Sequence, residues 1–93
     1  MTEEHLTALL AAAEAKKDDQ GFMRPADGRT WNLYVASGAA GMNVSKVEAL
    51  KVERDLLRAR TVKGELFILA LQDVYAGAVE AGSTGGGRKA GFV

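Results

Sequence analysis

The feature that most constrains this chain is a continuous apolar run, Leu66 to Leu71, at the end of the stretch DLLRARTVKGELFILAL from Asp55 to Leu71. A short apolar run behind a turn signal reads as the second arm of a β-hairpin. Its first arm alternates, with Leu57, Ala59 and Thr61 on one face and Leu56, Arg58, Arg60 and Val62 on the other. The second arm does not alternate: Leu66, Ile68 and Ala70 are backed by Phe67, Leu69 and Leu71. That pattern predicts a central strand covered on both faces.

The turn leaves two registers open. A two-residue loop at Lys63-Gly64 sets Arg58 and Arg60 opposite Leu69 and Phe67. A type I turn over Val62-Lys63, with Gly64 left-handed, sets them opposite Ile68 and Leu66. In either register two arginines share a face with large apolar side chains. They can lie as solvated stems over the sheet, paired with Glu48, or form a recognition face, since Arg among apolar groups suits protein or phosphate contacts.

Taken in order, residues 2–17 read as a helix capped by Thr2, with Glu3 and Glu4 at its positive end and Lys16 and Lys17 at its negative end. Leu6, Leu9, Leu10 and Ala13 form a narrow stripe that either docks on the sheet or meets a partner helix. A connector runs from Asp18 to Thr30, and Thr30–Ser37 alternates as a half-buried strand carrying Trp31. Ser37 to Asn43 reads as a small-residue loop. Val44–Val52 reads as a strand whose phase slips between Ala49 and Leu50, as at a bulge. Leu71, Val74, Tyr75, Ala78 and Val79 have helical spacing and predict a short C-terminal helix, against which Gly77 argues; a short final strand is the competing reading. The Gly-rich residues 82–93 read as a flexible tail. The expectation is one α+β domain over residues 1–81: an N-terminal helix, an antiparallel four-stranded meander with small-barrel character, and a short helix.

The leading helix and bent meander resemble the small barrels of the Sm-like group, a resemblance that implies RNA binding and ring assembly. Arg24 and Arg29 of RPADGR, with Asn43 to Glu48, faintly resemble the arginine segment and following turn by which PilZ domains bind a cyclic dinucleotide. Here the arginines stand one residue too far apart, and Glu48 occupies the place of the motif's glycine.

Twelve basic residues balance twelve acidic ones, so the whole chain carries no steering field for nucleic acid or acidic lipid. The charge is nevertheless divided, net −3 over residues 1–19 and net +3 over residues 46–63. Without cysteine, and with His5 alone, thiolate and histidine-cluster metal chemistry has no ligands, and no cofactor is expected. No nucleophile stands at recognisable spacing from a base; Asp27 and Asp73 could act only in a shared cleft.

The expectation is therefore a non-catalytic, cytoplasmic protein-binding or assembly module, either homo-oligomeric, with a homodimer expected, or an adaptor for another protein, and with no membrane partner. Its partner-binding residues would be Arg58, Arg60 and Phe67 on the sheet, or Leu6, Leu9 and Leu10 on the helix. The alternative is nucleic-acid binding through Lys46, Lys51, Arg54, Arg58, Arg60 and Lys63, with Trp31, Tyr34 or Phe67 stacking on bases.

Overall fold

A computed structural model describes residues 1–37 and 40–81. Helix α1 (Glu3–Ala12) is followed by seven strands: β1 (Lys16–Lys17), β2 (Met23–Arg24), β3 (Arg29–Ser37), β4 (Ala40–Glu53), β5 (Leu56–Thr61), β6 (Leu66–Ala70) and β7 (Val74–Ala81). All strand pairs are antiparallel. The order β1-β2-β4-β3-β7 is joined by β5 on β4 and by β6 on β5.

Helix α1 starts where the sequence places it, with Thr2 Oγ1 accepting the His5 N–H at 3.0 Å. It ends earlier than residue 17. Glu14 takes a left-handed φ of 54°, its N–H bonds to Ala11 C=O and that of Ala15 bonds to Leu10 C=O, a Schellman closure. Lys16 and Lys17 therefore leave the helix and pair with Arg24 and Met23.

Strand β4 organises the sheet by bending. It carries one extra residue against β3 near Lys46, whose φ is 57°, and another against β5 at Glu48. Asn32 Oδ1 accepts the Lys46 N–H at 3.2 Å where the ladder is interrupted. The phase slip expected between Ala49 and Leu50 thus originates at Lys46 and Glu48, just before Ala49. Ala49 and Leu50 face opposite ways and are both buried, because both faces of the sheet are covered there. The first half of β4 pairs with β3, its second half with β5 and, through Leu50, with Met23 of β2. The concave face so formed holds Trp31, Leu33, Val44, Val47, Leu50, Leu57 and Val74, closed over by Leu6 and Leu9 of α1.

Three expectations are corrected. The segment 74–81 is a strand paired along β3, and only a single 3-10 turn at Leu71–Asp73 precedes it. Among the described residues the strands number seven, since the end of the expected helix contributes β1, the connector β2 and the C-terminal segment β7. The residues read as a Ser37–Asn43 loop are largely strand, Ser37 ending β3 and Ala40 beginning β4, while Gly38 and Ala39 lie outside the described residues, as does the tail from Gly82.

The β5–β6 turn resolves the hairpin register. Thr61 C=O accepts the Gly64 N–H and Thr61 N–H donates to Glu65 C=O, both at 2.9 Å, and Gly64 has φ 88°. Arg58 accordingly lies opposite Ile68, and Arg60 opposite Leu66. Nothing lies within 4 Å of a Cβ added at Gly64, so Gly64→Ala tests backbone strain alone. It should cost about 1 kcal/mol, read from chemical denaturation.

Candidate interaction face

The register divides the hairpin cleanly. Leu57, Ala59, Phe67 and Leu69 point into the concave core, and Leu56, Arg58, Arg60, Leu66, Ile68 and Ala70 point outward. Phe67 is half-buried opposite Ala59 and so does not share the face of Arg58 and Arg60. The apolar neighbours of the arginines are instead Leu66 and Ile68, 46% and 55% exposed, with Leu56 at 42%.

Strand β6 is not central. Among the described residues it pairs with β5 alone and forms one edge of the sheet. Glu65 C=O and Leu71 N–H are bonded toward the preceding hairpin arm, to Thr61 N–H and Asp55 C=O. Alternation then directs the backbone groups of Phe67 and Leu69 toward β5 and those of Leu66, Ile68 and Ala70 away from the sheet. The run reads as a strand covered on both faces because it is apolar on both faces; among the described residues only one of them is covered.

The cations around it are engaged locally. Phe22, from the connector, is buried with the Arg60 guanidinium 5.2 Å and the Lys51 ammonium 5.6 Å from its ring centre. Lys51 Nζ also donates to Gln20 C=O at 3.3 Å. Arg58 Nε stands 3.1 Å from Glu53 Oε1, close enough for an ion pair but off the hydrogen-bonding line. Its partner is Glu53, where the sequence suggested Glu48. Lys46 and Lys63 flank a shallow hollow at the far end of the hairpin with Asn43, Ser45 and Glu65, and Arg54 sits in the β4–β5 turn. The six basic residues are therefore spread over two turns and one face, with Glu48, Glu53 and Glu65 among them.

The loop that carries Phe22 is held by Asp18. One carboxylate oxygen accepts the N–H groups of Gln20 and Phe22, and the other accepts Arg24 Nε at 2.8 Å. The Arg24 hydrogen bond, opposed by partial desolvation and aided by the two backbone donors, holds the Asp18 carboxyl below the usual aspartate range. A lowered folded-state value gives stability that is present above about pH 4 and is lost as pH falls through that value. Asp18→Asn should therefore lower stability at neutral pH and flatten the acid limb, the two profiles converging at low pH, as urea titrations at stepped pH would show.

The helix leucines are accounted for by the fold. Leu6 and Leu9 are buried on the sheet and Leu10 is half-buried against the same core. Trp31 is wholly buried and presents no face to a base, and Tyr34 is half-buried with its ring stacked on that of Tyr75 at 6.4 Å. His5, Asp27 and Asp73 are exposed on the helix, a turn and the 3-10 turn respectively. Among the described residues no group of three or more His, Asp or Glu could hold a metal ion, and no helix is long and apolar enough to cross a membrane. Comparison with protein-family models, curated proteins and solved structures finds no match to this chain.

Proposed function

We propose that this protein is a non-catalytic assembly module whose contact surface is the outer face of β5–β6 together with the open edge of β6. The observation that carries this reading is the edge itself. LFILA has no charge, no proline and no bulge, the devices by which a solvent-exposed edge avoids pairing. Its outward side chains, Leu66 and Ile68, continue into Leu56 as a patch of exposed large apolar groups. Arg58 and Arg60 border that patch and supply orientation. The small-barrel resemblance points the same way, since the segment after Leu71 supplies the additional strand that a meander of that kind requires.

The solution mass of the full chain, measured by light scattering near 100 µM, tests this reading at the order of affinity such a contact provides. The expected result is a defined oligomer of the 9.8 kDa chain that persists in about 1 M salt, where charge contacts are screened beyond ~3 Å. Ile68→Lys should return it to monomer with an unchanged circular dichroism spectrum. A monomeric wild type would sink the assembly reading. Salt-sensitive binding to a single-stranded oligonucleotide, weakened by Lys51→Ala or Arg60→Ala, would then favour the nucleic-acid alternative.

A further inference from the structure

Among the described residues the sheet ends in three outer strands, β1, β6 and β7, and they are not equivalent: β1 is only two residues long, and both are lysine. Strand β7 carries Glu80 near its end and a bulge at Tyr75, where Val35 pairs with Val74 and Tyr34 with Ala76. A charge and a bulge are ordinary protections of an edge. Strand β6 has neither, and its free backbone groups fall at Leu66, Ile68 and Ala70, evenly placed about Ile68.

Resting on the assembly reading, we infer that the occupant of the β6 edge is the β6 edge of a second copy of this chain, antiparallel about a two-fold axis at Ile68. In that register Ile68 faces Ile68 of the second copy and Leu66 faces its Ala70, large against small at both ends. The N–H and C=O groups of all three residues find partners, because the outward groups of one strand meet the outward groups of the other. The contact is isologous and uses both free β6 edges, so it closes at two copies instead of propagating as a fibre.

Charge permits this arrangement. Only apolar side chains meet across the axis, and each Arg58 lies one strand behind Ile68. The two Arg58 residues are then three strand spacings apart, about 14 Å, which exceeds the ~8 Å screening length at physiological salt. Each is also drawn back toward its own Glu53. An Ile68→Lys change would instead set two ammonium groups face to face, and should weaken the dimer by about 100-fold or more.

The native chain has no cysteine, so introduced thiols report register without background. Ile68→Cys, treated with a short bifunctional thiol reagent, should give a covalent dimer with itself. Leu66→Cys should link to Ala70→Cys in a mixture of the two variants, at least about tenfold better than to another Leu66→Cys, from which it would stand some 13 Å away. The Leu66 and Ala70 pair keeps Ile68 intact and so remains decisive if the Ile68 change itself loosens the contact. An oligomer in which Ile68→Cys links to Tyr75→Cys and not to itself overturns the two-fold pairing and leaves assembly standing. A chain that is monomeric and unlinked at every concentration overturns both.

Discussion

Replacing Trp31 with alanine should remove about half or more of the chain's folding stability. Trp31 is fully buried at the centre of the concave core and carries its largest side chain. Its indole also joins the two layers: Nε1 donates to Leu9 C=O at 3.2 Å. That carbonyl is an orphan of the last helical turn, because the Ala13 N–H that would ordinarily bond to it turns to Leu10 C=O instead. Trp31→Ala thus opens a cavity and strands a buried acceptor. Aromatic-to-alanine truncation in a core costs about 3–5 kcal/mol, and a domain of this size holds only about 5–10 kcal/mol in total. Trp31→Phe keeps most of the volume and loses chiefly the hydrogen bond, so it should remain folded with a loss of about 1–2 kcal/mol. Equal stability of Trp31→Ala and wild type in urea would contradict this assignment of the core.

Gly77→Val should be the second severe change, although valine is the better strand residue. Gly77 faces the core opposite Leu33, and a Cβ placed there would stand 2.7 Å from Leu9 Cδ2 and 3.1 Å from Cδ1. The glycine is required for space. Leu9 is buried and has little room to turn, so even Gly77→Ala should cost about 1–3 kcal/mol, and the branched side chain of valine should lift the helix from the sheet. A double-mutant cycle isolates the cause. Leu9→Ala alone should cost about 2–4 kcal/mol, yet Gly77→Ala combined with Leu9→Ala should be less damaging than the sum by at least about 1 kcal/mol, since the clash is removed. Strict additivity would place the damage elsewhere.

These two residues also mark what the sequence could and could not reveal. The helix start, the hairpin and the bend in β4 were legible because capping, turn chemistry and alternation are local. The final strand was not. Its inward residues are Val74, Gly77 and Val79, and the bulge at Tyr75 stretches the first interval to three residues, which imitates a helical stripe. Gly77 weakens a helix and a strand alike, and only the position of Leu9 explains it. The helix end was overrun because its closure uses Glu14, not a glycine, in the left-handed position.

The candidate face was half legible. That Arg58 and Arg60 share it with large apolar residues followed from alternation, but Leu66 and Ile68, not Phe67, are those residues, because Gly64 sets the register. Whether β6 was central or at an edge depends on where β7 returns, and β7 returns to β3. No local signal carries that information.

Amide hydrogen exchange across β6 as a function of protein concentration tests the assembly proposal most directly. Phe67 and Leu69 bond inward to β5 and serve as internal controls, slow at every concentration. If β6 pairs with another copy, the amides of Leu66, Ile68 and Ala70 should exchange rapidly in dilute solution and become protected as concentration rises, with Ile68→Lys abolishing the change. Rapid exchange at those three positions at all concentrations, beside protected Phe67 and Leu69, would mean that the edge stays open and that the chain does not assemble through it.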